Sequence, residues 1–262
     1  MATHHRTDVL ISSRSDGGEH KDRLVKSWIK QRPHRCLVLC LLGLVCCLAA
    51  RLVAETYMLQ EPVLASCQEV IGQLTPGDVE LDCAFKDWGP AEMGALAKAL
   101  RHVPRLQELD VRSNNMGDEG ARAVADALRH VPGLEDLGLG NNNMGGEGAR
   151  AFAEALRHVP GLKCLRLDSN NVGTEGARAV AKALEHVPGL QELDLDDNDM
   201  GDEGARAVAD ALRHVPGLKC LRLDSNNVGT EGARAVAKAL EHVPGLQELD
   251  LDDNDMGDEG AR

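Results

Sequence analysis

The sequence predicts an α/β solenoid, a fold in which one small unit is stacked on copies of itself. The first observation is a period of 28 residues: the unit at residues 190–217, LQELDLDDNDMGDEGARAVADALRHVPG, recurs along the chain. Self-similarity at a period of 20 to 50 residues is the signature of stacked repeats. The second observation is that the spacing of apolar residues changes within each unit, from that of a strand to that of a helix.

A strand and a helix follow from the apolar positions of one unit. Leu109 and Val111 alternate with polar residues, as in a short strand. Val124 and Leu128 lie four residues apart with polar residues between them, as on one face of an amphipathic helix. Pro132 then ends the helix, because proline cannot donate the next backbone hydrogen bond. We therefore expect one strand and one helix in every unit.

The repeats occupy residues 77–262 by this frame. The first, at 77–104, is degenerate, and its Trp88 is expected to close the end of the core. Five full repeats follow, at residues 105–132, 133–160, 161–188, 189–216 and 217–244. The last, at 245–262, is incomplete, and we expect either that the sequence is a fragment truncated at Arg262 or that this segment frays. Residues 161–206 and 217–262 are identical in sequence.

The repeat pattern LxxLxLxxNxMGxEGAxAVAxALxxVPx resembles the leucine-rich repeat of the ribonuclease-inhibitor type, which also occurs in NOD-like receptors and in a Ran GTPase-activating protein. The resemblance implies a horseshoe with parallel strands on the concave face and helices on the convex face. It also implies that the asparagines at one position of the repeat form a structural ladder, in which each side chain hydrogen-bonds the backbone of neighbouring turns. These asparagines are Asn114, Asn142, Asn170, Asn198, Asn226 and Asn254.

The chain before the repeats has three parts. Residues 1–35 form a basic tail that is predicted to be disordered. Residues 36–54 are apolar apart from Arg51, and as a helix they would span about 28 Å, close to the thickness of a bilayer core. Residues 55–76 are expected to be a connector and N-terminal cap.

The apolar segment has three interpretations, which stay open at this stage. As a signal-anchor it gives a single-pass membrane protein with a cytoplasmic N-terminus, because the basic flank stays inside. As a cleaved signal peptide it gives a secreted protein, and as a buried or peripheral helix it gives a cytoplasmic one. The signal-anchor is the interpretation that we carry forward.

Several classes of function are disfavoured by the composition. The net charge of −13 falls on the repeats, since residues 1–35 are basic, so nucleic acid is not an expected partner. There is no P-loop sequence, no GxSxG or HExxH motif and no cysteine–histidine spacing for zinc. We expect no catalysis, no cofactor and no metal.

The outward strand positions are where a partner is expected to bind. In the repeats from residue 105 onward they carry thirteen carboxylates and three arginines, which favours a protein partner with a basic surface. One alternative is that these charges only keep the solenoid soluble, and another is a cytosolic regulator of a GTPase or a NOD-like-receptor-like sensor. The candidate residues are Glu108, Asp110, Asp136, Arg166, Asp168, Glu192, Asp194, Asp196, Asp197, Arg222, Asp224, Glu248, Asp250, Asp252 and Asp253.

The cysteines and the aspartate cluster are the remaining candidates for a disulfide and for a metal site. Cys164 and Cys220 share one repeat position two repeats apart, roughly 10 Å by strand spacing, so they are expected to be free thiols. Whether Cys67 and Cys83 pair is left open. The aspartates at residues 194–199 are not expected to bind calcium, because alternate side chains of one strand point to opposite faces.

Overall fold

The computed structural model describes residues 67–257 of the 262-residue chain. The predicted tail at 1–35, the apolar segment at 36–54 and the first part of the connector lie outside the described residues, as does 258–262 at the end of the incomplete repeat. Within 67–257, every helix is too short or too polar to cross a bilayer.

One parallel sheet of seven strands runs through the described residues in chain order, β1 to β7. Each strand pairs with the next at a shift of 28 residues, so that Leu81 lies opposite Leu109 and Leu109 opposite Leu137. The degenerate first repeat is therefore in register with the others. The strands are β1 Glu80–Asp82, β2 Glu108–Asp110, β3 Asp136–Gly138, β4 Cys164–Arg166, β5 Glu192–Asp194, β6 Cys220–Arg222 and β7 Glu248–Asp250.

A helix returns the chain from each of the first six strands to the start of the next. Each helix is continued by one 3-10 turn that ends in a histidine, such as His130 after α2. The side chain sits where the helix dipole favours a positive charge, which explains these histidines without a metal. The helices are α1 Pro90–Ala99, α2 Gly117–Ala127, α3 Gly146–Ala155, α4 Gly173–Ala183, α5 Gly201–Ala211 and α6 Thr230–Ala239. A further helical segment covers residues 67–73.

The core is one continuous layer between the sheet and the helices. The central leucine of each inner strand is buried, and it packs with the alanines and valines of the helices. Trp88 is fully buried at the N-terminal end of this layer, as predicted for a residue that closes the core. The helices pack closely because of a recurring glycine: a Cβ on Gly204 would lie 2.7 Å from the Cβ of Met200 and 3.1 Å from that of Ala177 on the preceding helix.

The asparagine row lies between the strands and the helices and bonds the backbone of two repeats. The Nδ2 atom of Asn198 donates to the carbonyl oxygens of Leu167, Leu195 and Asp196 at 2.9, 3.1 and 2.8 Å. Its Oδ1 atom accepts the backbone N–H of Val172 at 3.2 Å. The same pattern recurs at Asn114, Asn170, Asn226 and Asn254. This is the structural role that the resemblance implies.

The turn before the helix takes two forms in identical sequence. Gly173 begins α4 with φ of +63°, whereas Gly229 in the identical segment precedes α6 with φ of −87°. The cause of this difference in φ lies one repeat earlier in the chain. The Oδ1 atom of Asp202 accepts the N–H groups of Gly229 and Gly232 at 2.8 and 2.7 Å, and the corresponding residue before α4 is Gly146. Asp118 makes the same two bonds to the start of α3.

Replacing Asp202 by alanine is expected to lower the free energy of unfolding by about 1 kcal/mol. Two N–H groups at the start of α6 lose their acceptor, and a negative charge is lost at the positive end of the helix dipole. Urea denaturation followed by circular dichroism measures the loss. Asp210→Ala is the control, because Asp210 is exposed in the same repeat. Equal losses in the two variants would contradict the capping role.

Candidate functional site

The outward side of the sheet, called here the sheet face, carries the candidate residues. In β2 the side chain of Glu108 is exposed, Leu109 is buried and Asp110 is half-buried, so the polar residues alternate away from the core. Three columns run across the strands at steps of 28. The first column contains Glu80, Glu108, Asp136, Cys164, Glu192, Cys220 and Glu248. The second contains Asp82, Asp110, Gly138, Arg166, Asp194, Arg222 and Asp250.

The third column and the rim row follow the end of each strand. The third column contains Ala84, Arg112, Gly140, Asp168, Asp196, Asp224 and Asp252. The rim row is the next position, where the backbone is left-handed in all seven repeats, and it contains Phe85, Ser113, Asn141, Ser169, Asp197, Ser225 and Asp253. All fifteen candidate residues therefore lie in these columns and this row.

An ion-pair chain crosses the first two columns. Arg166 lies 3.0 Å from both Asp136 and Glu192, and Arg222 lies 3.5 Å from Glu192 and 2.8 Å from Glu248. Arg222 also reaches the carboxylate of Asp194 at 3.5 Å. The chain thus joins strands β3 to β7. Each pair is partly exposed, so each contributes at most about 1 kcal/mol to stability.

This chain adds pairing between strands to the predicted count of thirteen carboxylates and three arginines. Counting charges treats each strand alone, but a shift of one repeat places the arginines of β4 and β6 between the carboxylates of β3, β5 and β7. Four of the thirteen predicted carboxylates are held by these two arginines: Asp136, Glu192, Asp194 and Glu248. The negative potential therefore concentrates at the places that the chain does not reach.

One such place is the N-terminal acidic patch, formed by Glu80, Asp82, Glu108 and Asp110 on β1 and β2. Glu80 lies opposite Glu108, and Asp82 lies opposite Asp110. Arg112 is 2.9 Å from Asp110, but among the described residues no ion pair reaches the other three. Desolvation raises the pKa of Glu108, and the charges of Asp136 and Glu80 add to the rise. Four carboxylates on two strands thus form a compact negative surface.

Two residues of this patch, Glu80 and Asp82, were not among the fifteen candidates predicted from the sequence. The signal was present, because the degenerate repeat already placed Leu81 in register with Leu109, and their flanking residues follow from that register. The predicted sheet face began one strand too late. The structure extends it to β1.

A separate group of aspartates lies in the middle of the sheet face, where Arg222 of the ion-pair chain reaches only Asp194. The side chain of Asp194 is buried, with 6% of the residue exposed, and its Oδ1 atom accepts the N–H of Asp196 at 3.2 Å. Asp196 in turn accepts the N–H of Asp224 at 2.9 Å. Burial raises the pKa of the Asp196 carboxyl to about 8, and a hydrogen bond with the Asp224 carboxyl and the charge of Asp194 add to the rise. Asp196 therefore binds a proton more tightly than an exposed aspartate does.

Asp196 and Asp224 come together from neighbouring repeats. The expectation that these aspartates do not bind calcium was based on the side chains of one strand. Within residues 67–257, no group of three or more His, Cys, Asp or Glu side chains is arranged to hold a metal ion. Asp196 and Asp224 are joined by the hydrogen bond from the Asp224 backbone N–H.

Replacing Asp196 by asparagine is expected to raise stability more at pH 8 than at pH 4. The raised pKa means that the folded protein keeps a proton that the unfolded chain releases near pH 4. This contribution is present below pH 4 and is lost as the pH rises to about 8. The asparagine variant has no such pH-dependent loss. The difference in free energy of unfolding between this variant and wild type should therefore grow by about 1 kcal/mol from pH 4 to pH 8.

Urea denaturation at a series of pH values from 4 to 9 measures this change. Asp252→Asn is the matched control, because Asp252 occupies the same column and is exposed at the last strand. A constant difference between wild type and Asp196→Asn at all pH values would contradict the raised pKa of Asp196.

The cysteines of the described residues are all free. This confirms the prediction for Cys164 and Cys220, which lie on β4 and β6 with β5 between them. Cys67 and Cys83 are both buried at the N-terminal end of the core, and burial raises the pKa of their thiols to about 11 and about 12. Their protonated form makes them simple core residues.

A solenoid of strand–helix units with an extended polar sheet face is typical of protein–protein interaction modules. The family profile described as Leucine Rich repeat matches six segments of the chain, at residues 104–125, 134–153, 162–181, 190–209, 218–237 and 246–262. The chain is a leucine-rich repeat protein. A comparison with curated proteins found no match.

Solved structures with a similar fold include an internalin from Listeria monocytogenes, with 20% identity over 62% of this chain and 39% of that chain and a TM-score of 0.46. The Leiomodin-1 Actin-Binding Site 2 has 19% identity over 60% of this chain and 88% of that one, with a TM-score of 0.46. The PEPR1-AtPEP1 structure has 21% identity over 60% and 19%, with a TM-score of 0.43. The chain thus spans less than half of the internalin, and likenesses at this level concern the fold alone.

Proposed function

We propose that this protein is a non-catalytic interaction module that binds a protein partner with a basic surface through its sheet face. The observation that carries the proposal is the N-terminal acidic patch, in which Glu80, Asp82 and Glu108 are exposed and outside the ion pairs of the described residues. The charges of the ion-pair chain are paired with one another, whereas those of Glu80, Asp82 and Glu108 face solvent. A compact surface of one sign attracts an oppositely charged partner and speeds the encounter.

The geometry of the fold supports this use of the patch. Strand β2 is paired on both sides, with β1 and β3, and β1 is paired with β2, so the side chains of the patch stand on hydrogen-bonded neighbouring strands. A partner that binds such a surface does not have to order it first, which reduces the entropic cost of binding. We therefore expect recognition by several lysine or arginine side chains that contact β1 and β2 together.

Reversing the charge of the patch is expected to lower partner recovery about tenfold. The variant carries Glu80→Lys, Asp82→Lys and Glu108→Lys, and proteins captured from cell extract are quantified by mass spectrometry. The matched control reverses three exposed carboxylates on the helical side, with Glu119→Lys, Asp126→Lys and Glu154→Lys. Partners retained by the control and lost by the patch variant support the proposal, whereas equal recovery by both variants overturns it.

We further propose that the repeats are of the ribonuclease-inhibitor type and that residues 36–54 anchor the chain in a membrane. The constant unit of 28 residues with a full helix supports the repeat type. The uncharged run at 36–50 after the basic segment at 21–35 supports the anchor. Tags at each end combined with protease protection test the anchor: both tags accessible, or both protected, before the membrane is dissolved would contradict a single span.

A further inference from the structure

The rim row contains one residue that does not suit its backbone. Phe85 has φ of +56°, in the left-handed region that bulky side chains rarely adopt. Short polar residues tolerate this region because they bond the local backbone. Such residues occupy the rest of the row, with φ between +50° and +54°: Ser113, Asn141, Ser169, Asp197, Ser225 and Asp253. The first repeat therefore places an aromatic ring where the other six place a serine, asparagine or aspartate.

The fold gains no burial from this ring. Phe85 is 74% exposed, the highest value among the large apolar residues of the described part of the chain, where Val79 and Leu249 are the other exposed ones. Three residues further on, Trp88 is completely buried. A strained and exposed aromatic side chain costs stability, and such strain persists mainly at sites of function.

Phe85 follows Asp82 of the N-terminal acidic patch by three residues in the chain. The backbone N–H of Phe85 donates to the carbonyl oxygen of Arg112 at 3.1 Å, which fixes it at the end of β1 beside the third column of β2. The carboxylate of Asp82 accepts the N–H of Ala84 at 2.9 Å, so a patch residue holds the turn that presents the ring. An apolar centre with a polar rim is the usual anatomy of a protein–protein interface.

We propose that Phe85 is the apolar anchor of the partner-binding surface, and that it contacts an apolar spot on the partner that is surrounded by lysine and arginine. The inference rests on the proposed function, and it adds a second requirement to the partner's chemistry. Basic residues pair with the patch, and an apolar spot buries the ring. Burial of a phenylalanine removes a large area from water, which a charge contact alone does not.

Two synthetic peptides of equal charge test this proposal on the full chain. One has two adjacent leucines between two lysine–arginine clusters, and the other has two serines in their place. We expect wild-type protein to bind the leucine peptide about tenfold more tightly, from the extra apolar area that is buried. Phe85→Ser, which restores the residue type of the row, should remove this preference. Val79→Ser is the matched control and should keep it, because Val79 lies before the start of β1.

The outcomes separate the anchor from the surface. A preference that persists in Phe85→Ser overturns the anchor, as does a melting temperature for that variant below wild type, which would indicate a structural role. If Glu80→Gln with Asp82→Asn and Glu108→Gln leaves binding of both peptides unchanged, or if neither peptide binds wild type, the proposed function itself fails. A lost preference at an equal or higher melting temperature supports the anchor.

Discussion

Asn198→Ala is expected to lower the free energy of unfolding by about 3 kcal/mol or more, because several buried backbone groups lose their partner at once. The side chain satisfies the carbonyl groups of Leu167, Leu195 and Asp196 and the N–H of Val172. Alanine replaces none of these bonds, and the residue is fully buried, so water cannot enter without opening the repeats. The loss should be large even though only one side chain is shortened.

Urea denaturation followed by circular dichroism measures this loss, with two alanine variants for comparison. Asn171→Ala changes an exposed asparagine next to the row and should cost less than about 0.5 kcal/mol. Asn254→Ala removes the same bonds at the last described repeat, where the residue is half-buried, so water can replace part of them and the loss should be about 1 kcal/mol. Equal losses for Asn198 and Asn171 would show that the row is not what joins the repeats.

Leu193→Ala is expected to cost about 2 to 5 kcal/mol, while Leu249→Ala should cost about 1 kcal/mol. The two leucines occupy the same repeat position in identical sequence, since residues 189–206 and 245–262 do not differ. Leu193 is fully buried on β5, between β4 and β6, whereas Leu249 on β7 pairs with β6 and is 37% exposed. The first substitution leaves a cavity, and the second leaves a surface that solvent already reaches.

The same denaturation experiment compares the two leucine variants, and hydrogen exchange locates the change. We expect Leu193→Ala to reduce protection in the repeats on both sides of β5, because the cavity borders both. Leu249→Ala should reduce protection in the last repeat only. If both variants lose the same stability, the tertiary neighbours of β5 do not determine the burial energy of this leucine.

Sequence alone was sufficient for the residues that act within one unit. The spacing of Leu109, Val111, Val124 and Leu128 predicts one strand and one helix, and the structure confirms both in β2 and α2. The asparagine row was placed correctly because its role repeats at a constant step of 28 residues. Such features depend on periodicity and side-chain chemistry, which the sequence displays directly.

The candidate site was predicted less completely, because its character depends on contacts between units. The columns were identified, but Arg166 and Arg222 turned out to hold carboxylates of neighbouring strands. Glu80 and Asp82 were missed because the outward strand positions were counted only in the repeats from residue 105 onward. Phe85 was missed because its exposure and its left-handed backbone are properties of the folded chain.

The sequence by itself determined the unit: which residues face the core, where the strand and helix lie, and which asparagine bonds the backbone. Only the tertiary structure decided what identical units do in different places. Gly173 and Gly229 differ in φ because Asp202 caps one helix start and Gly146 cannot cap the other. Burial between repeats raises the pKa of Asp196, and Asp224 on the next repeat adds to the rise. The physical reason is the same in each case, since hydrogen bonds, burial and charge at one repeat are supplied by its neighbours.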